Sequence, residues 1–359
     1  MTWTDRRILD LFGIELPILQ APMSGPTTPE MAAAVSEAGG LGSLACAQYT
    51  PEGAREAAQR VRARTSRPFN INFFCHASPE PDPARAAAWH KALERYYLEF
   101  GLDPDAPPPA NGRAPFDEAF CAVVEEVRPA LCSFHFGLPE PSLLERVRRT
   151  GARVISSATT VAEARWLEER GCDAVIAMGL EAGGHRGNFL TESMTSQLGT
   201  FALVPQVADA VRVPVIAAGG IGDARGIRAA LALGASAVQI GTAYLFTPEA
   251  RVPPVHREAL RRAGEHETAL TNIFTGRPAR GILNRAMREL GPISPLAPAF
   301  PGAGGSMAPL RGHTEALGLG DFMSLWAGQA AALGREMPAG ELTRRLAAET
   351  LGLSPARQA

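Results

Sequence analysis

The chain has 359 residues, of which 46% are hydrophobic and 20% charged, the composition of an ordinary globular protein. Its formal net charge is −2, so no overall field favours binding to nucleic acid or to an anionic membrane. No apolar run reaches the ~18 residues of a membrane span, and the N-terminus lacks the apolar core of a signal peptide. We therefore expect a cytoplasmic protein with neither nucleic-acid nor membrane partners.

The five cysteines are scattered and form no CxxC pair, which indicates neither a disulfide framework nor a metal cage. We interpret them as reduced thiols that serve packing, and we predict no metal site. The chain also lacks HExxH, GxSxG and P-loop motifs. This disfavours zinc hydrolase, serine hydrolase and nucleoside triphosphatase chemistry.

Eight short apolar segments, bounded by Gly or Pro, predict eight strands. They lie at 17–23, 40–47, 69–74, 130–137, 153–160, 174–181, 213–220 and 237–246. Helical patterns fill most of the gaps, and several begin at Ser, Thr, Pro or Asp and end at Gly. Apolar strands that are each followed by a helix are typical of a parallel sheet covered by helices. Eight such repeats predict an α/β fold of the (β/α)8 TIM-barrel type. A doubly wound open sheet is the alternative, but its GxGxxG fingerprint is missing after the first strand.

Two regions interrupt this rhythm. We expect the long connection between the third and fourth strands to be a surface excursion. It includes the proline-rich stretch 103–115. Residues 249–320 follow the last strand, and we expect them to form a small helical subdomain over the barrel mouth. The predicted division is therefore a barrel at 1–248, this subdomain, and C-terminal helices at 321–359 that pack back on the barrel. One of these helices is expected around 322–334.

In a closed parallel barrel, the carboxyl ends of all strands open at one mouth, where active sites lie. Unusual residue types stand at these ends in this chain. Those singled out as candidate binding residues are Met23, Ser24, Gly25, Asn70, Met178, Gly183, Gly219, Gly220, Gln239, Ile240, Gly241 and Thr242.

The glycines after the seventh and eighth strands predict a phosphate site. Glycine permits close backbone approach, and its N–H groups can point at an anion. The loops after strands seven and eight are the recurrent phosphate site of TIM barrels, and we expect a helix N-terminus with free donors after each loop. The alternative is that Gly219, Gly220 and Gly222 only make a tight turn.

Two histidines are candidate catalytic residues. His185 lies among glycines at the end of the sixth strand, where no apolar helix face explains it, and an imidazole suits proton transfer or anion binding near neutrality. The alternative is a surface histidine in a flexible loop. His135 ends the fourth strand between two phenylalanines, so a core role competes with a pocket role.

The remaining histidines lack a supporting context, and we predict that they lie at the surface. They are His76, His90, His256, His266 and His313. Arg277 and Arg280 could reach an anion at the mouth, but a solvated or carboxylate-paired role is favoured. The Met and Trp residues, including Trp326, are expected to serve packing.

The chain resembles the nitronate monooxygenase family, formerly called 2-nitropropane dioxygenases, in its bacterial class I branch. The most specific matching segments are GLEAGGHRGNF and SFHFGLP, and similar segments extend in order over nearly the whole chain. The resemblance implies a non-covalent FMN at the barrel mouth and a nitronate stacked on its ring. The products would be a carbonyl compound and nitrite, with O2 as oxidant. It also implies that His185 is the catalytic histidine, that His135 is a second histidine beside the substrate, and that the candidate binding residues contact FMN.

One position departs from the family pattern. The resemblance expects glutamine at position 178, where its amide would contact the flavin, and this chain has Met178. A thioether donates no hydrogen bond and accepts one only weakly. Flavin affinity or redox potential should therefore differ from the family pattern.

Two other functions stay open at this point. One is an NAD(P)H-dependent flavin reductase that acts on quinones or on enoyl-acyl carrier protein, since nicotinamide can stack on a flavin without a sequence fingerprint. The other is a flavin-free barrel that binds a sugar phosphate through the glycine loops alone. The sequence also leaves a homodimer open.

Overall fold

The structure, a computed structural model, describes residues 3–109, 113–265 and 267–353. The strands in chain order are β1 (Ile18–Gln20), β2 (Gly42–Ala45), β3 (Phe69–Phe74), β4 (Leu131–His135), β5 (Arg153–Ala158), β6 (Ala174–Met178), β7 (Gly184–His185), β8 (Val215–Ala218), β9 (Ala237–Ile240), β10 (Thr268–Thr271) and β11 (Ala279–Ile282). The α-helices are α1 (Arg7–Phe12), α2 (Pro29–Glu37), α3 (Pro51–Arg62), α4 (Pro83–Glu99), α5 (Glu118–Val127), α6 (Pro141–Arg149), α7 (Val161–Glu169), α8 (Thr200–Ala210), α9 (Ala224–Ala232), α10 (Pro254–Arg261), α11 (Arg285–Leu290), α12 (Gly304–Ala316) and α13 (Ala339–Thr350).

Eight parallel strands form a nearly closed barrel, which confirms the predicted TIM-barrel class. Their order around the sheet is β1-β9-β8-β6-β5-β4-β3-β2, and a parallel bridge between Leu19 and Leu41 joins its two ends. Each predicted barrel strand contains one of these eight strands. Apolar side chains on both faces of the strands explain this arrangement, because one face fills the barrel and the other packs on the surrounding helices.

Helix α1 covers the amino-terminal end of the barrel, a role that the sequence did not reveal. Its Ile8, Leu9 and Phe12 are buried against interior strand residues such as Leu131 and Ile216. The barrel interior at this end is therefore filled with packed apolar side chains. The opposite, carboxyl end is left for a site.

The segment 249–320 was expected to be helical, but it also contains strands. Besides α10, α11 and α12 it contains the antiparallel pair β10–β11, and β11 also pairs with the short strand β7 that carries His185. The excursion before α5 was predicted to lie at the surface, and this is wrong for α4. Trp89 of α4 is 1% exposed because the helix packs against α12. The exact division of the chain into domains stays a prediction.

The predicted helix at 322–334 is wrong except for one 3-10 turn at Ala331–Leu333. The main-chain N–H groups of Ala327 and Gln329 donate to the carbonyl oxygens of Arg280 and Glu181, so this segment does not close helical bonds with itself. Helix α13 follows it and packs against α2 and α9. Within residues 3–109, 113–265 and 267–353, no helix combines the length and apolarity needed to cross a membrane.

Candidate active site

A cavity of about 820 Å³ opens at the carboxyl end of the barrel. Residues at or just after the ends of all eight barrel strands line it. The sequence-predicted residues found there are Met23, Ser24, Gly25, His135, Met178, Gly183, His185, Gly219, Gly220, Gln239, Gly241 and Thr242. The barrel thus brings both candidate histidines and both glycine loops to one opening.

Asn70 and Ile240, in contrast, do not line the cavity. Asn70 lies deeper in the barrel, where its amide nitrogen donates to Ser43 Oγ (3.1 Å) and Ser133 Oγ (2.8 Å). Asn72, two residues further along β3 on the same face, lines the cavity and is the asparagine placed to contact a ligand. Ile240 is 1% exposed and packs in the outer core. Sequence reasoning chose the wrong one of two asparagines because it could not fix the depth of each residue in the barrel.

The loop after β8 has the geometry of an anion cradle. Gly219 and Gly220 have φ of +103° and +70°, a left-handed conformation that side chains with a Cβ rarely adopt. Within the described chain, their main-chain N–H groups have no hydrogen-bond partner. The predicted donors of the following helix are not free, however. The carboxylate of Asp223 caps α9 and accepts from Arg225 N and Gly226 N.

The loop after β9 is partly committed to other contacts. Thr242 Oγ1 accepts a hydrogen bond from Gly328 N at 2.9 Å, which ties the loop to the segment after β11. Gly183 is needed in the same region for packing, since a Cβ on it would lie 2.5 Å from Gly328 N. Gln239 points into the cavity without a hydrogen-bond partner for its amide in the described chain, and Gly241 lies beside Met23.

His185 is held by elements from outside the barrel. Its strand β7 pairs with β11, where His185 faces Ala279. Its Nε2 lies 3.0 Å from Thr275 Oγ1. Its ring centroid lies 5.3 Å from that of Phe300 and 5.7 Å from that of Trp326. The alternative of a flexible surface histidine is therefore wrong.

The imidazole of His185 is neutral and opens to the cavity through Nδ1. Burial, followed by the charge of Arg113 and the neighbouring His135, lowers the pKa of His185 well below 6.5. Its Nδ1 has no hydrogen-bond partner among the described groups and is not sealed from the cavity. One nitrogen is thus held by protein, and the other is left for a ligand.

His135 uses both of its nitrogens within the protein. Nε2 lies 3.3 Å from the carbonyl oxygen of His185, and Nδ1 lies 2.6 Å from Ser157 Oγ. Burial, followed by the charge of Arg277, lowers the pKa of His135 to about 3. His135 is therefore a neutral ring on the cavity wall that supports the main chain of His185.

A buried guanidinium holds the loop that joins β6 to His185. Arg186 is fully buried and donates to the carbonyl oxygens of Met178 (2.8 Å) and Gly179 (2.6 Å) and to Gln197 Oε1. Burial lowers its pKa to about 10, so the guanidinium stays charged near neutrality. The main chain of Met178 is therefore fixed, while its side chain lines the cavity.

Two of the histidines predicted at the surface are buried instead. His256 is 5% exposed, lines the cavity and contacts the carbonyl oxygen of Trp326 through Nε2 at 3.1 Å. His76 is 6% exposed, and its ring packs edge-on against Phe300 at 4.8 Å. Burial lowers the pKa of each to about 4. His90 and His313 are half-buried, and His266 lies outside the described residues.

Among the described residues, neither Arg277 nor Arg280 is paired with a carboxylate; Arg277 is half-buried and Arg280 is buried, in contrast to the predicted solvated or carboxylate-paired role. Arg277 donates to the carbonyl oxygens of Arg186 and Asn188, and its guanidinium lies 4.1 Å from the ring centroid of Phe136. Arg280 is 6% exposed and donates to the carbonyl oxygens of Leu180 and Thr268. Both side chains hold the segment after β9 against the His185 loop.

An aromatic wall, formed by Phe74, Phe136, Phe300 and Trp326, surrounds His185. Phe136 has φ of +71°, a strained conformation for a bulky residue, directly after β4. Sequence reasoning missed Phe300 and Trp326 as site residues because both come from the segment after the barrel. The wall packs around the imidazole, which stays open to the cavity through Nδ1.

The cavity mouth carries three guanidinium groups. Arg113, Arg251 and Arg311 line it, with Glu315 as the only carboxylate among the described lining residues. In the described chain, none of the three arginines forms a salt bridge. Burial, followed by the charge of Arg311, lowers the pKa of Arg113 to about 10, so it remains a cation near neutrality. The mouth is therefore built to attract an anion.

The barrel, the glycine cradle and the histidine at its mouth define a TIM barrel with an anion-binding cavity, and comparisons with known proteins identify the family. The family model described as nitronate monooxygenase matches residues 5–349. A nitronate monooxygenase from Pseudomonas aeruginosa is 45% identical over 96% of this chain and 99% of its own length. The crystal structure of nitroalkane oxidase from Streptomyces ansochromogenes is 41% identical with a TM-score of 0.88, covering 97% of this chain and 98% of that chain. FabK from Thermotoga maritima is more distant, at 31% identity and a TM-score of 0.72 over 96% of both chains.

The chain belongs to the nitronate monooxygenase family, a family of flavin-dependent oxidoreductases. The resemblance drawn from the sequence is thereby confirmed. The roles of the individual site residues stay predictions.

Proposed function

We propose that the protein binds FMN in the cavity and oxidises alkyl nitronates with O2 to a carbonyl compound and nitrite. The observation that carries this proposal is the meeting of two features in one cavity. A neutral imidazole, with a free nitrogen on an aromatic wall, lies at the same opening as a glycine cradle with free N–H groups. Family membership supports the reaction class.

The residues present fit FMN. The free main-chain N–H groups of Gly219 and Gly220, with those near Gly241 and Thr242, would hold the phosphate. The Met23–Gly25 loop, Asn72 and the Gly183–His185 strand would contact the ring. A Cβ on Gly184 would meet no atom within 4 Å, so open space lies in front of this main chain. When bound, FMN supplies the electron acceptor for the nitronate.

The chain's own residues would bind, orient and shield the substrate. A nitronate is an anion, and the guanidinium of Arg113, which forms no salt bridge within the described residues, gives the mouth a matching charge. His185 would bind the nitronate oxygens or take a proton at its free nitrogen. The aromatic wall would keep water from this contact, which strengthens hydrogen bonds to the anion. The prediction that His135 also faces the substrate is supported only by its place on the cavity wall, since both of its nitrogens are already bonded.

Propionate 3-nitronate is the substrate that we would test first, because its carboxylate adds a second negative charge for the arginines at the mouth. The purified protein should be yellow, should release FMN on denaturation, and should consume O2 and form nitrite with this substrate. It should not need NADH. Bound FMN without turnover of propionate 3-nitronate or an alkyl nitronate at any concentration would refute the proposal.

The same preparation tests the two alternatives. Rapid bleaching of the flavin by NADH without O2 would favour an NAD(P)H-dependent flavin reductase. A colourless protein whose thermal stability rises with a sugar phosphate but not with FMN would favour a sugar-phosphate barrel. Gel filtration with light scattering would show whether the protein forms the homodimer that the sequence leaves open.

A further inference from the structure

One contact of His185 decides what its free nitrogen can do. Thr275, in the loop after β10, is 3% exposed and places its hydroxyl 3.0 Å from His185 Nε2. No sequence pattern pointed to this residue, and its segment lies outside the barrel. A neutral imidazole has one N–H donor and one bare acceptor, so the state of Nε2 fixes the state of Nδ1.

The direction of this hydrogen bond follows from the acceptors around the threonine. The hydroxyl of Thr275 has a single proton, and two acceptors lie near it: His185 Nε2 at 3.0 Å and the carbonyl oxygen of Arg277 at 3.5 Å. Hydroxyl hydrogen bonds usually span about 2.5–3.0 Å, so the contact to the carbonyl is long and Nε2 is the better-placed acceptor. A hydroxyl that donates to Nε2 leaves the proton of the neutral imidazole on Nδ1.

The ring cannot turn freely to exchange its two nitrogens. Strand β7, which carries His185, pairs with β11, and the main-chain carbonyl oxygen of His185 accepts a hydrogen bond from His135 Nε2. The ring also packs against Phe300 on one side and Trp326 on another. The structure thus holds the same nitrogen towards Thr275 and leaves the other towards the cavity.

The charges around the ring agree with this state. Among the described residues, the charged or titratable groups that lower the pKa of His185 are Arg113, Arg277, His76 and His135, and none of these is a carboxylate. Such surroundings keep the imidazole neutral and attract an anion. A bare Nδ1 lone pair would repel an anionic oxygen, whereas an Nδ1–H group would bind it.

We propose that Thr275 is a positioning residue: it donates to His185 Nε2 and so keeps the imidazole in the tautomer whose Nδ1–H faces the cavity. That this N–H then donates to a nitronate oxygen rests on the proposed function. In this tautomer His185 binds the anion, and it does not act as a base towards it.

The tautomer can be read directly in the flavin-bound protein. We would label the histidines with ¹⁵N, record long-range ¹H–¹⁵N correlations, and assign the His185 signals by their loss in His185→Asn. The expected wild-type spectrum has a protonated Nδ1 and a bare Nε2. In Thr275→Val, which keeps the shape of the side chain but lacks the hydroxyl, the proton should move to Nε2. Thr275→Ser should keep the wild-type pattern.

Kinetics then link the tautomer to binding. In Thr275→Val, KM for propionate 3-nitronate should rise about tenfold or more, as expected for loss of a hydrogen bond to an ion, while bound flavin is unchanged. Thr275→Ser should restore KM. A protonated Nε2 in the wild type, or a Val variant with unchanged spectrum and unchanged KM, would overturn the inference. A correct tautomer pattern without any nitronate turnover would leave the role of Thr275 standing and refute the proposed function instead.

Discussion

The side chain of His135 holds the main chain of His185, since its Nε2 lies 3.3 Å from the His185 carbonyl oxygen. A carbonyl only accepts, so Nε2 carries the proton of the neutral His135 ring, and Nδ1 accepts from Ser157 Oγ at 2.6 Å. The two candidate histidines are therefore not equivalent. His135 has no nitrogen left for a substrate, whereas His185 has one.

We predict that His185→Asn keeps bound FMN but lowers nitronate turnover by about 10- to 100-fold, the scale for loss of a hydrogen bond to an ion. The reason is that asparagine cannot place a ring nitrogen at the aromatic wall. Turnover is measured by O2 uptake, and flavin content by the absorption spectrum. His313→Asn is the matched control, since His313 lies in α12 and does not line the cavity. Full activity in His185→Asn would show that the assigned role is wrong.

A second prediction concerns Met178, where the family resemblance expects glutamine. Met178 is 8% exposed at the end of β6 and lines the cavity. Met178→Gln would offer an amide donor to the flavin, so the Kd for FMN should fall about 2- to 10-fold, the yield of one neutral hydrogen bond. Met178→Leu should leave Kd unchanged, because it adds no donor. Titration of the apoprotein with FMN, followed by flavin fluorescence, measures both. Equal affinities in the two variants would mean that position 178 makes no polar contact with flavin.

The parts of the site that the sequence predicted share one property: they end barrel strands. Once eight repeats indicated a closed parallel barrel, residues such as Met23, Gly220 and Gln239 had to meet at one mouth. Depth within the barrel was not predictable, and this explains why Asn70 was chosen in place of Asn72. The periodicity of a strand gives its face but not the layer at which a ligand begins.

The parts that were missed come from outside the repeat. Arg113 and Trp326 line the cavity and Thr275 contacts His185, and all three lie in long connections whose path depends on tertiary contacts. The segment at 322–334 is an example. Its sequence pattern predicts a helix, but the N–H groups of Ala327 and Gln329 donate to carbonyl oxygens that are distant in sequence. Gly328 permits that crossing, because a Cβ there would lie 2.9 Å from the carbonyl oxygen of Glu181.

A third prediction concerns substrate charge. Arg113→Met keeps the apolar stem but removes the cation, so KM for propionate 3-nitronate should rise about tenfold or more, the effect of losing a hydrogen bond to a charged group. KM for propyl 1-nitronate, which lacks the carboxylate, should change much less. Arg165→Met is the control variant, since Arg165 is exposed on α7 and does not line the cavity. An equal rise in KM for both substrates would show that Arg113 does not bind the carboxylate of propionate 3-nitronate.

The fourth prediction is that His256 makes stability depend on pH. Its imidazole is buried against the Trp326 carbonyl oxygen, and burial lowers its pKa from 6.5 to about 4. Between these values the unfolded chain binds more protons than the folded protein, so the stability contributed by the neutral ring is complete above about pH 6.5 and is lost as pH falls towards 4. At about pH 5 the loss from this group should be about 2 kcal/mol.

His256→Gln tests this contribution, because an amide can still donate to the Trp326 carbonyl oxygen and does not titrate. The free energy of unfolding would be measured by urea denaturation at about pH 7.5 and about pH 5, with FMN at the same saturating concentration. The decrease between the two pH values should be about 2 kcal/mol smaller in the variant than in the wild type. A third measurement at about pH 8.5 is the internal control, since the ring is neutral in both states there and the two proteins should differ by a constant amount. If the decrease at low pH is the same in both proteins, the pKa of His256 is the same in the folded and unfolded states. Burial against Trp326 then does not disfavour protonation of the ring.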